Sequence, residues 1–280
     1  MPENLWWLHL EDPCVKAFLV KNDLTPLKWA KLLLKDVFEE PPVTMREFLF
    51  SPDFADWQGD LWPNVQALLE EFDKSKYREG FLGLGRGSGK SALGSLFLAR
   101  QAYWLLNLKN PWAYYGLRKN TLLTVLNVSV SGAQAQSVVF DTLCGIIENS
   151  RYFHGKFSKR TSLGHADLYF PVKRIRAISG HSGSTVWRGY AVFAAVADEI
   201  SWFLSKANKD NAEDICQVLK GSMATRFPDS YKLLAISSLK SRTDFLSKTL
   251  TGLRKETLEK QPTIDGIDEM RAELGIPGEK

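Results

Sequence analysis

A chain of 280 residues, 44% hydrophobic and 24% charged, is long enough to bury one large α/β core and too apolar to be disordered. Its net charge of +4 permits a nucleic-acid partner without requiring one. Three widely spaced cysteines (Cys14, Cys144, Cys216) and four histidines without metal-ligand spacing (His9, His154, His165, His181) argue against a disulfide framework or zinc site and fit a reducing cytoplasm.

No stretch reaches the roughly 18 apolar residues of a membrane span. The first dozen residues carry Glu3, Glu11 and Asp12 without a basic start, so no signal peptide is expected. Residues 1–57 read as a helical lead-in: Leu27, Ala30, Leu33, Leu34 and Val37 recur at helical spacing after Thr25-Pro26, and Pro41-Pro42 ends that helix. Trp6, Trp7, Trp29, Trp57 and Trp62 read as an aromatic packing layer.

From Leu61 the pattern alternates. Val65 to Phe72 is helical in spacing, and Gly80 to Leu84 is a short apolar run expected to be a buried strand. A glycine-rich turn leads into a helix over Lys90 to Leu106. Thr121 to Val130 reads as a strand, Ala133 to Glu148 as a helix, and Asp167 to Ile178 as two short strands. Ala191 to Ala197, wholly apolar, is expected to be a central strand. Asp214 to Ala224 reads as a helix, Leu233 to Ser237 as a buried strand, and Asp244 to Lys260 as a charged helix. Strands alternating with helices imply an α/β fold with a largely parallel central sheet flanked by helices.

Two motifs carry chemistry. Gly85-Arg86-Gly87-Ser88-Gly89-Lys90-Ser91 ends in the Gly-Lys-Ser of a P-loop, although Leu84 stands where the pattern's first glycine is usual. Glycine at every second position lets backbone N–H groups turn toward phosphate oxygens, and the helix that follows aims its positive end at them. Lys90 is expected to reach the β/γ-phosphates and Ser91 to hold Mg²⁺. Asp198-Glu199 then follows an uncharged strand, as acids do at the carboxyl edge of a sheet. Asp198 is expected to support Mg²⁺, and Glu199 to activate the attacking water. The substrate expected is ATP, and the fold a P-loop NTPase of the ASCE (RecA-like) type.

With both motifs in place the chain resembles, from about Phe48 to about Ser247, the ATPase domain of the terminase large subunit, the motor that packages double-stranded DNA into viral capsids. Leu61-Trp62-Pro63-Asn64-Val65-Gln66 looks like that family's adenine-binding segment, with Gln66 toward the base. Arg86 is similar to its loop variant, and Val128 to Ala135 resembles its second strand and helix. Leu233 to Ser238 looks like its coupling motif, which implies that Ser237 and Ser238 sense the γ-phosphate. Arg188-Gly189 matches a pattern whose arginine contacts a neighbouring subunit's nucleotide, with Arg226 as the second choice.

The resemblance implies a lead-in (1–57), an ATPase core (58–247) and a C-terminal helix and linker (248–280). That last segment is too short for the family's nuclease, so no nuclease activity is expected. It further implies double-stranded DNA, a portal protein and a small terminase subunit as partners, and a homo-oligomeric ring, pentameric by analogy. The place implied is the host cytoplasm, docked transiently on a procapsid. A cluster of Lys156, Lys159, Arg160, Lys173, Arg174 and Arg176 could grip DNA phosphates or form a solvated hairpin. Two alternatives stay open: another ASCE DNA-dependent ATPase of the helicase or recombination type, and a slow nucleotide-gated assembly module.

Overall fold

The computed structural model describes residues 35–59, 61–131, 139–162, 165–182, 189–203 and 211–259, with a few positions between 17 and 28. Its centre is a seven-stranded sheet in the order β1-β7-β6-β2-β5-β4-β3. The strands are β1 (Glu79–Gly83), β2 (Leu123–Ser129), β3 (Ser158–Ser162), β4 (His165–Phe170), β5 (Ile175–His181), β6 (Ala191–Asp198) and β7 (Lys232–Ser237). The first five in that order run parallel, and β4 and β3 are added antiparallel at one end.

Helices α1 (Met45–Phe50), α2 (Pro63–Lys74), α3 (Lys90–Asn107), α4 (Pro111–Tyr114), α5 (Asp141–Asn149), α6 (Ala212–Arg226) and α7 (Phe245–Glu259) surround it. Helix α3 packs across β5, β2, β6 and β7, with α2 and α5 beside it; α6 packs on β6 and α7 on β1. Every residue of β2, β6 and β7 is buried, because helices cover both faces of a parallel sheet. β6 is mostly alanine and valine, and Gly94 of α3 lies so close that an added Cβ would stand 3.3 Å from Val196. One hydrophobic cluster runs from Met45 to Leu246. It draws in Trp57 from the lead-in; Trp6, Trp7 and Trp29, and all but Val37 of the predicted lead-in stripe, lie outside the described residues.

The predicted elements are found, with informative differences. β1 is only partly buried rather than a buried strand, because it ends the sheet and pairs with β7 on one side only. The two strands expected over Asp167 to Ile178 are β4 and β5, and polar β3, an edge strand before them, was not expected. Of the helix expected over Ala133 to Glu148, the described part begins near Val139, and α5 runs on to Asn149. Lys232, the first residue of β7, is buried and donates to the carbonyls of Phe72, Ser75 and Tyr77, closing the C-terminal end of α2 together with the Ser75 hydroxyl, which also donates to Phe72.

Candidate nucleotide site

The chain leaves β1 at Gly83, and the Leu84 N–H donates to the Ser237 carbonyl at 2.9 Å, tying the start of the loop to the end of β7. Gly87 (φ +74°) and Gly89 (φ +82°) are both left-handed, a conformation that costs L-residues about 1 kcal/mol or more. A Cβ at Gly85 or Gly87 would meet nothing within 4 Å, so the loop is open at both positions. At Gly89 a Cβ would stand 3.2 Å from Val65 and 3.3 Å from Trp62, because the N-terminus of α2 is pressed against the loop there. Gly89 is also the N-cap of α3 and brings no side-chain cap, which leaves the first N–H groups of that helix for an anion. Ser88 Oγ donates to the Gly85 carbonyl at 2.7 Å and closes the turn.

Lys90 joins three segments. Its Nζ donates to the carbonyls of Gly85 (3.1 Å) and Leu84 (3.4 Å) and to Ser238 Oγ (3.0 Å), and stands 3.8 Å from Glu199 Oε1. Sheet order explains the meeting. β7 lies between β1 and β6, and its register sets Gly83 beside Ser237 and Asp198 beside Ile236. Loop, acidic pair and hydroxyl pair therefore share one carboxyl edge. A strand inserted between the phosphate-loop strand and the acidic strand is the defining feature of the ASCE arrangement.

Asp198 is 4% exposed, and its carboxyl is raised from 3.8 to about 6, by burial first and then by the charge of Glu199, against the opposing charge of Lys90. Glu199 adopts φ 57°, ψ 43°, a left-handed conformation that strains a long side chain by on the order of 1–2 kcal/mol. The turn carries its carboxylate back over β7, where Oε2 accepts from Ser237 Oγ (2.9 Å) and from the Ser238 N–H (3.2 Å). Two carboxylates face one lysine, a local excess of negative charge. The Ser91 hydroxyl and the Asp198 carboxylate, both hard oxygen donors, fit Mg²⁺ in coordination chemistry.

Thus Gly85, Arg86, Gly87, Ser88, Gly89, Lys90, Ser91, Asp198, Glu199, Ser237 and Ser238 are brought to one edge. Gln66 lies in the first turns of α2 and its amide donates to Glu70 Oε1 at 2.7 Å. Trp62 was expected in a packing layer; it is instead 60% exposed, beside Gly89, and presents its indole to solvent at the mouth of the loop. Arg188 lies outside the described residues. Arg226 ends α6 and donates to the carbonyl of Tyr190, just before β6 begins, at the opposite end of the sheet from Lys90; it reaches no phosphate held by its own loop. Part of the basic cluster is committed to the fold, and the side chain of Arg160 lies outside the described residues. Lys173 is buried on Glu39 and the carbonyls of Leu106 and Leu108, Arg176 lies 3.9 Å from Asp167 and 3.7 Å over the Tyr190 ring, and Lys159 pairs with Glu148. Arg174 is exposed.

Sequence reasoning missed Ser201 and Asp244. Asp244 has one legible signal: Asp-x-x-Ser before a helical run is an N-cap pattern.

The sequence over residues 21–267 matches the family described as "Uncharacterized protein MJ0330, N-terminal P-loop domain". The chain belongs to this P-loop family. Among solved structures, this P-loop domain is similar to the HK97 bacteriophage large terminase, with a TM-score of 0.53 at 14% identity over 76% of this chain and 41% of that one. It is also similar to the large terminase ATPase domain of Thermus phage P74-26 (0.46, 14% identity, 71% of this chain and 72% of that one) and to the large terminase of a thermophilic bacteriophage (0.39, 10%, 63% and 37%). The P-loop domain spans about two fifths of the length of the HK97 protein, and the likeness is one of fold. No curated protein matches the sequence. Among the described residues no helix is long and apolar enough to cross a membrane.

Proposed function

We propose that this P-loop domain hydrolyses ATP and is the motor domain of a DNA-packaging terminase. The observation that carries the reading is the convergence of Lys90, Glu199, Ser237 and Ser238 at one sheet edge, beside an open glycine loop.

ATP would lay its β- and γ-phosphates in the loop, where charged oxygens replace the Leu84 and Gly85 carbonyls as partners of Lys90. Trp62, exposed beside the loop, and Gln66, one turn on in α2, would flank the base. Ser91 and Asp198 would hold Mg²⁺, which would supply positive charge against the negative charge of the phosphates. Glu199 orients a water and takes its proton as the new oxygen–phosphorus bond forms. The bond between the γ-phosphorus and the bridging oxygen breaks, and ADP leaves with the electron pair. Ser237 and Ser238 touch Glu199 directly and so register the change.

In the same proposal the chains form a ring, pentameric by analogy. Arg188 of each subunit serves the next subunit's phosphates, and the assembly docks on the portal of a procapsid in the host cytoplasm with double-stranded DNA and a small terminase subunit as partners.

The test is ATP hydrolysis against protein concentration, with and without double-stranded DNA. The rate should rise with concentration or DNA, and Glu199→Gln should lower it by about 10²–10⁴-fold, the usual worth of a general base. A Glu199→Gln protein as active as the parent would sink the role of Glu199. Nucleotide binding without hydrolysis under every condition would favour a gated assembly module, and unwinding of a forked duplex a helicase.

A further inference from the structure

Beyond the hydrolytic edge, a hydrogen-bonded chain leads from Glu199 to the start of α7. Glu199 Oε2 accepts from Ser237 Oγ at 2.9 Å, Ser237 Oγ accepts from the Ser201 N–H at 3.3 Å, and Ser201 Oγ donates to Asp244 Oδ1 at 3.3 Å. All three residues beyond Glu199 are hidden from water: Ser237 is 0%, Ser201 5% and Asp244 5% exposed. Asp244 also gathers the segment after β7. Its Oδ2 accepts from the N–H groups of Lys240 (3.0 Å) and Ser241 (2.7 Å) and from Ser247 Oγ (3.2 Å), and its Oδ1 from the Ser247 N–H (2.9 Å).

Capping of α7 explains the bond from the Ser247 N–H, and the bonds from Lys240 and Ser241 fold the turn before the helix. It does not explain why the same carboxylate holds Ser201, which belongs to the turn after β6. A second contact joins the same two segments: Lys240 Nζ lies 4.7 Å over the Trp202 ring. The residues after Glu199 and the residues after Ser238 are therefore clasped at two points. Ser237 offers the chain two settings. Its single hydroxyl proton has two acceptors at 2.9 Å, Glu199 Oε2 and the Ser238 carbonyl. In one setting the proton bonds the carboxylate; in the other it turns to the Ser238 carbonyl and leaves the carboxylate to the Ser238 N–H and Lys90. At the far end α7 is seated on β1, with Phe245 against Phe81 and Leu250 against Gly83.

We propose that Asp244, acting through Ser201 and Ser237, is a positioning residue that sets the orientation of Glu199 and ties it to the N-terminus of α7. This rests on the proposed ATPase function. It assigns a role to two residues outside the phosphate loop, the acidic pair and the hydroxyl pair. Asp244 touches no phosphate; it fixes the donor that fixes the carboxylate.

The experiment compares the parent chain with Ser201→Ala and Asp244→Asn, using Mg-ATP and Mg-ADP as probes. Ser201→Ala removes the link and leaves the α7 cap in place, so it separates positioning from folding. Steady-state hydrolysis should show kcat reduced about 5- to 20-fold in Ser201→Ala with KM for ATP within about twofold of the parent, the pattern of an interaction realised only in the transition state. Hydrogen exchange of residues 245–259 should differ between the ATP- and ADP-bound parent, and that difference should vanish in Ser201→Ala. Asp244→Asn should lower kcat at least as far. A Ser201→Ala protein with parental kcat and a parental exchange difference would overturn the proposal, leaving Asp244 a helix cap. A parent with Glu199-dependent hydrolysis but no nucleotide-dependent change in α7 would overturn the tie to the helix alone. A parent that neither binds nor hydrolyses ATP would overturn the ATPase reading and this one with it.

Discussion

Asp198 is held ionisable where ionisation is costly. Its folded value, about 6, lies above the ordinary 3.8, so the native state binds the proton more tightly than the unfolded chain does. Stability is therefore lower above about pH 6 and recovers as pH falls from there toward 3.8. The penalty on the ionised native state is at most about 3 kcal/mol at neutral pH. Asp198→Asn should accordingly raise the thermal midpoint of the nucleotide-free protein by a few degrees at pH 7.5, and the gain should shrink as the pH approaches 4. Calorimetry across that range is the check. A variant less stable than the parent at pH 7.5 would show that the carboxylate is better compensated than its burial implies. Glu199 carries a different cost, in its backbone, where φ 57° aims the carboxylate at Ser237 and Ser238.

The phosphate loop is an element whose geometry depends on its neighbours. Gly87 and Gly89 share a left-handed backbone, but only Gly89 is crowded, by Val65 and Trp62 of the α2 entry. Gly87→Ala should cost about 1 kcal/mol of stability through strain alone, whereas Gly89→Ala should cost about 2 kcal/mol and push α2 from the loop. Urea denaturation separates the two, and titration with a fluorescent ATP analogue should show the larger loss of affinity in Gly89→Ala. Equal effects in both assays would mean that the contact with α2 does not matter. The departure at Leu84 fits the same geometry: its N–H is bonded to Ser237 as a continuation of β1, and the turn begins only after it.

For the whole molecule, the distribution of positive charge differs from what residue counting suggests. Lys173 holds Glu39 and the end of α3 together, and Arg176 is enclosed by Asp167 and Tyr190. Lys173→Met should destabilise the fold by about 1–3 kcal/mol, since it strips buried carbonyls of their donor, and should leave the salt dependence of any DNA binding unchanged. Arg174→Ala should do the reverse, sparing stability. If Lys173→Met proved as stable as the parent yet flattened the salt dependence, the lysine would be a DNA contact after all.

The sequence by itself determined the local elements and the chemistry of the two motifs. A short apolar run such as Ala191 to Ala197, ended by two acids, reads as a strand covered on both faces, and a glycine-rich turn before a helix with Lys90 and Ser91 has a phosphate-shaped backbone. Only the tertiary structure decided which strand lies beside which. The insertion of β7 between β1 and β6 brings Ser237 to Glu199 across a sequence separation of 38 and makes β1 an exposed edge. Nor could spacing reveal the bond between Ser201 and Asp244, or the open face of Trp62, or the burial of Lys173. Periodicity reports which face of an element is apolar, whereas a partner distant in sequence is chosen by sheet order and register, which no local pattern encodes.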